Sequence, residues 1–116
     1  TLWGTGSPKR EFLHVDDLAK ATIFALRNKL PHHLYNVGTG KDISIKDLAF
    51  LIQSVVGHEG EIRWDSSKPD GTPRKLLDIS KMNELGWFPN IDLKTGIQRT
   101  YDWYLSNQKE IKEIKI

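Results

Sequence analysis

The sequence predicts a small α/β unit of α+β character, in which helices are interspersed with short strands. Three observations predict it. Apolar residues recur at helical spacing through Leu18, Ala21, Ala25 and Leu26, and again through Ile45, Leu48, Ala49, Ile52, Val55 and Val56. Short strand-like runs at residues 10–15 and 34–37 are bounded by turns carrying Gly or Pro. The chain has 116 residues, 38% hydrophobic and 28% charged, which suits one domain with one modest core over residues 1–116.

The elements follow in order. Residues 1–4 read as the end of a strand, and residues 5–9, with Gly6, Ser7 and Pro8, as a turn. Residues 10–15 alternate polar and apolar through Phe12 and Leu13. Asp16 or Asp17 is expected to cap the first helix, since a carboxylate accepts the unpaired N–H groups of a first turn. Pro31 ends that helix. Residues 34–37 form a strand closed by Gly38-Thr39-Gly40.

Ser44 opens the clearest helix, with Asp47 three residues on, and Gly57 fits the left-handed position after it. Residues 61–65 read as a strand and residues 66–74 as a loop held by Pro69, Gly71 and Pro73. Asp78 or Ser80 starts a short helix through Ile79, Met82 and Leu85, stopped by Gly86. Residues 87–93 are irregular. The last helix begins near Leu93 and uses Ile97, Tyr101, Tyr104 and Leu105, and residues 109–115 alternate charges as a solvated helical face. The chain starts with Thr inside a strand-like run, and is read as cut from a longer protein.

Composition limits the function classes. The net charge is +2 and the pI about 8.9. The cations are interleaved with acids rather than gathered in a stripe, which argues against nucleic acid as a partner. Cys is absent, so disulfides and thiolate metal sites are excluded, and a reducing cytoplasm is compatible. No apolar run approaches the ~20 residues of a membrane span. No signal peptide is visible.

Three segments carry residue types suited to chemistry. In the run from Trp3 through Gly4, Gly6, Lys9 and Arg10 to Phe12, an indole can cover a base or sugar and Arg10 can grip phosphate with its planar fork of donors. Spacing alone favours a plain hairpin with surface charges there. In the run from Lys68 through Asp70, Gly71 and Pro73 to Arg74 and Lys75, a loop stiffened by proline presents two cations, which suits a diphosphate. Asp70 can accept hydrogen bonds from a sugar hydroxyl or a base amine, or merely stabilise a Pro-Asp-Gly turn, and the spacing leaves these readings even. The third segment, His14-Val15-Asp16-Asp17, invites an acid–base or metal reading. We reject it, because the carboxylates sit at cap positions and His32, His33 and His58 complete no ligand set. Gly38-Thr39-Gly40 lacks the third glycine and helix start of a dinucleotide fingerprint.

The run Trp3-Gly4-Thr5-Gly6-Ser7-Pro8-Lys9-Arg10-Glu11-Phe12-Leu13-His14-Val15-Asp16-Asp17 closely resembles the corresponding run of GDP-L-fucose synthases. So do Tyr35-Asn36-Val37-Gly38-Thr39-Gly40, Lys68-Pro69-Asp70-Gly71-Thr72-Pro73-Arg74-Lys75, Leu85-Gly86-Trp87 and Tyr101-Asp102-Trp103-Tyr104-Leu105. The His-Val-Asp-Asp run is shared across the extended short-chain dehydrogenase/reductases, whereas the Trp-Gly and Lys-Pro-Asp-Gly runs are more specific.

The resemblance implies the C-terminal, substrate-binding domain of a two-part enzyme. The N-terminal Rossmann domain, absent from this chain, would bind NADP(H) and carry the catalytic Ser, Tyr and Lys. The intact enzyme, a cytoplasmic homodimer, would convert GDP-4-keto-6-deoxy-D-mannose to GDP-L-fucose by C3/C5 epimerisation and NADPH-dependent C4 reduction. Carried over by motif, Trp3, Arg10, Lys75 and, less directly, Asp70 would contact the GDP-sugar. Arg74 is added on chemical grounds. No catalytic, cofactor or metal residue is assigned within the chain, and no cofactor is expected bound to it: none of its tyrosines has Lys four residues on. Taken alone, the chain is expected to be inactive. The rival readings are another nucleotide-sugar epimerase or dehydratase, and a non-catalytic binding or interaction module.

Overall fold

A computed structural model describes residues 1–108. The elements run β1 (Leu2–Trp3), β2 (Lys9–Glu11), α1 (Val15–Arg27), β3 (Asp42–Ser44), α2 (Ile45–Val56), β4 (Trp64–Asp65), β5 (Arg74–Lys75), α3 (Ser80–Glu84) and α4 (Leu93–Asn107). This is the mixed helix and short-strand architecture expected. The strands are shorter than the sequence runs imply. Residues 34–37 form no strand, because no neighbouring strand pairs with them, and only Trp64 and Asp65 of residues 61–65 pair. The charged tail at residues 109–115 lies outside the described residues.

The strands form two small sheets. In one, β1 and β4 run parallel, Leu2 opposite Trp64 and Trp3 opposite Asp65. In the other the order is β3-β2-β5. There β2 pairs antiparallel with β3, Arg10 opposite Ile43, and parallel with β5, Lys9 opposite Arg74 and Arg10 opposite Lys75.

Helix ends explain how the chain turns between these elements. Ser44 caps α2: its Oγ accepts from the Asp47 N–H at 3.0 Å and donates to the Asp47 carboxylate at 2.6 Å. The next free amides of α2 donate to the first turn, Ile45 to the Pro8 carbonyl and Lys46 to the Gly6 carbonyl, both at 2.9 Å. Gly57 ends the helix in the left-handed conformation. The α4 cap is Asp92, which accepts from the Thr95 N–H.

The cap of α1 differs from expectation. His14 is the N-cap, its Nδ1 accepting from the Asp16 N–H at 3.2 Å. Asp16 and Asp17 already lie inside the first turn. Asp17 instead faces inward, 1% exposed, and its Oδ2 accepts from the Asn90 N–H at 3.0 Å and the Ile91 N–H at 2.8 Å. It thereby fastens the irregular segment before α4 to α1.

The buried core is small. Ala21, Met82 and Trp87 form its centre, with Leu13, Phe24, Tyr35 and Val37 packed around them. Much apolar surface stays open: Leu18, Ile23 and Leu26 on α1, Phe50 and Ile52 on α2, and Trp103, Tyr104 and Leu105 on α4. The radius of gyration is 17.0 Å, against about 13 Å for a compact domain of this length. Among the described residues no helix is long and apolar enough to cross a membrane.

Candidate nucleotide diphosphate site

The centre of the site follows from strand register. Arg10 and Lys75 are paired across parallel β2 and β5. Paired residues on neighbouring strands, about 4.8 Å apart, project to the same face. Both residues line one cavity of ≈ 530 Å³, walled also by Glu11, Leu13, Val37, Gly38, Leu76 and Leu77. Among the described residues the arginine and lysine ion pairs are Arg63–Glu61 and Arg74–Asp42, which leave Arg10 and Lys75 without a carboxylate.

Arg10 is held from behind. Its Nη1 donates to the carbonyls of Lys9 at 2.6 Å and Thr72 at 2.7 Å. A guanidinium has five N–H donors, so this anchoring leaves others for a ligand. Its Nη2 lies 3.1 Å from where a Cβ on Gly71 would stand, so Gly71 leaves the guanidinium room.

Arg74 stands elsewhere. Strand alternation sends it to the opposite face from Lys75, where its Nε donates to the Asp42 carboxylate across β2. That hydrogen bond is the main reason the Asp42 carboxyl is held below its ordinary value. The two adjacent cations read from the sequence as one cluster are therefore divided between two faces of a sheet.

Asp70 is engaged by the first turn. Its carboxylate accepts from the Thr5 hydroxyl at 2.6 Å and the Thr5 N–H at 2.9 Å, with the Ser7 hydroxyl at 3.5 Å. These bonds, that from the Thr5 side chain foremost, hold the Asp70 carboxyl below the usual range. Gly4 makes the contact possible: it has φ +79, and a Cβ there would collide with the Asp70 carboxylate. The loop after Asp65 is thus latched onto the turn after Trp3. Trp3 itself is 74% exposed, with Lys68 Nζ 5.6 Å from its ring centroid. Trp3 sits on the other small sheet and does not line the Arg10–Lys75 cavity.

One residue central to this arrangement carried no assigned role in the sequence reading. Glu11 collects donors from two distant segments. Its Oε1 accepts from the Thr39 and Gly40 N–H groups, each at 2.6 Å, and from the Thr39 hydroxyl at 3.3 Å. Its Oε2 accepts from the Leu77 N–H at 2.9 Å. The signal available was an acid between Arg10 and Phe12 at the start of a strand-like run. Because Glu11 occupies the amides of the Gly38-Thr39-Gly40 turn, that turn does not fit a dinucleotide pyrophosphate. Among the described residues no group of three or more His, Asp or Glu side chains is placed to hold a metal ion.

The NAD dependent epimerase/dehydratase family model matches residues 1–38. GDP-L-fucose synthase 1 of Arabidopsis thaliana is 55% identical over 106 residues, which is 91% of this chain and 33% of that protein. GDP-L-fucose synthase of Escherichia coli (strain K12) is 46% identical, covering 96% of this chain and 37% of that protein. The solved GDP-mannoheptose C4 reductase of Campylobacter jejuni with NADP bound superposes with a TM-score of 0.78 at 42% identity, over 89% of this chain and 33% of that one. The chain spans about a third of the length of the curated relatives it matches. With 55% and 46% identity to these two relatives over nine-tenths of its length or more, the chain is a homologue of a third-length portion of the GDP-L-fucose synthases.

Proposed function

We propose that this chain is the C-terminal, substrate-binding portion of a GDP-L-fucose synthase, and that its site holds the GDP end of the nucleotide-sugar. The intact enzyme converts GDP-4-keto-6-deoxy-D-mannose to GDP-L-fucose by epimerising C3 and C5 and reducing C4 with NADPH. The observation that carries the reading is the pairing of Arg10 with Lys75 on one face, over one cavity, with neither cation in an ion pair among the described residues. Two cations at a fixed spacing suit a diphosphate, and the planar Arg fork adds direction. Strand β1, one turn before β2, supplies Trp3 to cover a base or sugar, and Asp70 holds that turn against the loop after Asp65 through Thr5. Arg74 supports the site through β5, which its pairing with Asp42 ties to β3.

In the intact enzyme NADP(H) is held by an N-terminal Rossmann domain of the same protein. That domain carries the catalytic acid, base and hydride chemistry, and the cofactor supplies the hydride. The present chain grips the remote GDP, and that binding energy positions the sugar ring against groups on the other domain. The open apolar faces of α1, α2 and α4 support a covering partner domain. The resemblance also carries assembly as a homodimer and a place in the cytoplasm.

Calorimetric titration of GDP tests the reading. Lys75→Ala is expected to weaken GDP binding about tenfold, the loss of one charge-assisted contact. Equal affinities in wild type and variant remove Lys75 from the site. Titration with UDP and dTDP separates this reading from other nucleotide-sugar enzymes, and equal binding of all three removes the guanosine assignment.

A further inference from the structure

We propose that Glu11 is the positioning residue of the diphosphate grip, holding Lys75 in register with Arg10 by a side-chain extension of the sheet. The inference rests on the proposed function and goes one step deeper into the same site.

The argument starts from how little backbone secures Lys75. β5 is two residues long, and its ladder with β2 ends at the Arg10–Lys75 pair. A strand that short is weakly held by its own hydrogen bonds. Beyond Lys75 the next tie to β2 is the Leu77 N–H, which donates to Glu11 Oε2 at 2.9 Å. The carboxylate thus takes the place of a ladder acceptor that the backbone no longer offers. Its other oxygen gathers the Thr39 and Gly40 amides at 2.6 Å and so fixes the turn that begins with Gly38, which lines the cavity of Arg10 and Lys75. One side chain therefore sets the distance between the cation-bearing strand end and the opposite wall.

Space around the carboxylate is closed. A Cβ on Gly38 would lie 2.5 Å from Glu11 Oε1 and 2.9 Å from its Cδ. Gly38 is thus the position from which the carboxylate can be displaced without altering it. Gln at position 11 keeps the shape but replaces one acceptor oxygen with an N–H₂ donor. That donor must face either the Leu77 amide or the two amides of the turn. In either orientation one tie becomes a repulsion.

The test uses GDP and GMP as probes. One phosphate is satisfied by a single cation, whereas a diphosphate engages two held at fixed spacing. Wild type is expected to bind GDP more tightly than GMP in calorimetric titrations. Glu11→Gln is expected to lose about tenfold in GDP affinity while GMP affinity stays within about twofold, and Gly38→Ala to do the same. Far-UV circular dichroism checks that each variant is folded. A wild type that does not prefer GDP overturns the diphosphate reading itself, and this inference with it. A wild type that prefers GDP beside variants that keep the preference overturns the role of Glu11 alone. Loss of the folded spectrum in Glu11→Gln, or an equal fall in GDP and GMP affinity, assigns Glu11 to the fold only and also overturns the proposal.

Discussion

Asp17→Ala tests how the small core is held. Asp17 is 1% exposed, and one oxygen receives both the Asn90 and the Ile91 amide. Removing the carboxylate strands two N–H groups, the Ile91 one in a buried contact and the Asn90 one partly so. An unmet buried donor costs about 1–3 kcal/mol, so the pair costs about 2–4 kcal/mol once some water reaches the outer one. Among the described residues few buried apolar side chains stand against that loss: Ala21, Met82, Trp87 and Ile91. In a domain of this size, 2–4 kcal/mol lowers the melting temperature by roughly 8–30 °C. Asp17→Asn separates the cause. Both amides converge on a single oxygen, which an Asn Oδ1 can replace, so only the charge assistance is lost, about 1–2 kcal/mol. Thermal melts followed by circular dichroism at neutral pH are expected to rank wild type above Asn above Ala. An Ala variant as stable as the Asn variant refutes the reasoning.

Acid is expected to loosen the chain in a defined window. The carboxyls of Asp42, Asp70, Asp78 and Asp92 are all held below their ordinary value by hydrogen bonds in the fold. A depressed folded pKa gives stability that is complete above the unfolded value of about 4 and is lost as pH falls through the folded values. Melting temperature measured from pH 7 to pH 2.5 is therefore expected to hold steady above about pH 5 and then fall, and Asp70→Asn to flatten part of that fall. A melting temperature independent of pH over this range refutes the assignment. Ser44→Ala removes the α2 cap and is expected to cost about 1 kcal/mol in a urea melt. Gly6→Ala is expected to destabilise more than Gly57→Ala: both have positive φ, but only at Gly6 would the Cβ meet a ring, that of Trp64 at 2.6 Å. Equal melting temperatures for the two variants remove Trp64 from the argument.

Local signals in the sequence were sufficient where the interaction itself is local. The α2 cap, its apolar face and the Gly57 stop lie within fifteen residues of one another, and the structure matches each. The grouping of Arg10 with Lys75 was legible through composition and resemblance, but its geometry is a register across 65 residues. The separation of Arg74 from Lys75 follows from β5 being a strand, and the Pro- and Gly-rich run around it reads as loop. Asp17 was read as a cap because its neighbourhood looks like a helix start. Only the approach of Ile91, 74 residues on, shows the carboxylate facing inward. Residues 34–37 have strand-like side chains, yet strand formation needs a partner and none is adjacent.

These misreadings share a cause that also explains the site. Asp70, which the sequence offers as an acceptor for a sugar, is fastened to Thr5, 65 residues away, and two further acids are fastened in the same way, Glu11 to Leu77, 66 away, and Asp42 to Arg74, 32 away. Sheets of two- and three-residue strands offer few ladder bonds, so carboxylates do the cross-linking that longer strands would do with backbone. Each acid used this way is engaged by protein donors, Glu11 included, although it lines the cavity. The near-balance of charges along the sequence, 17 cations against 15 acids, therefore does not describe the cavity, where Glu11 is engaged by backbone amides and neither Arg10 nor Lys75 has a carboxylate partner among the described residues. A mildly basic chain thereby presents two cations outside any ion pair among the described residues, and that pair is what the proposed diphosphate ligand would neutralise.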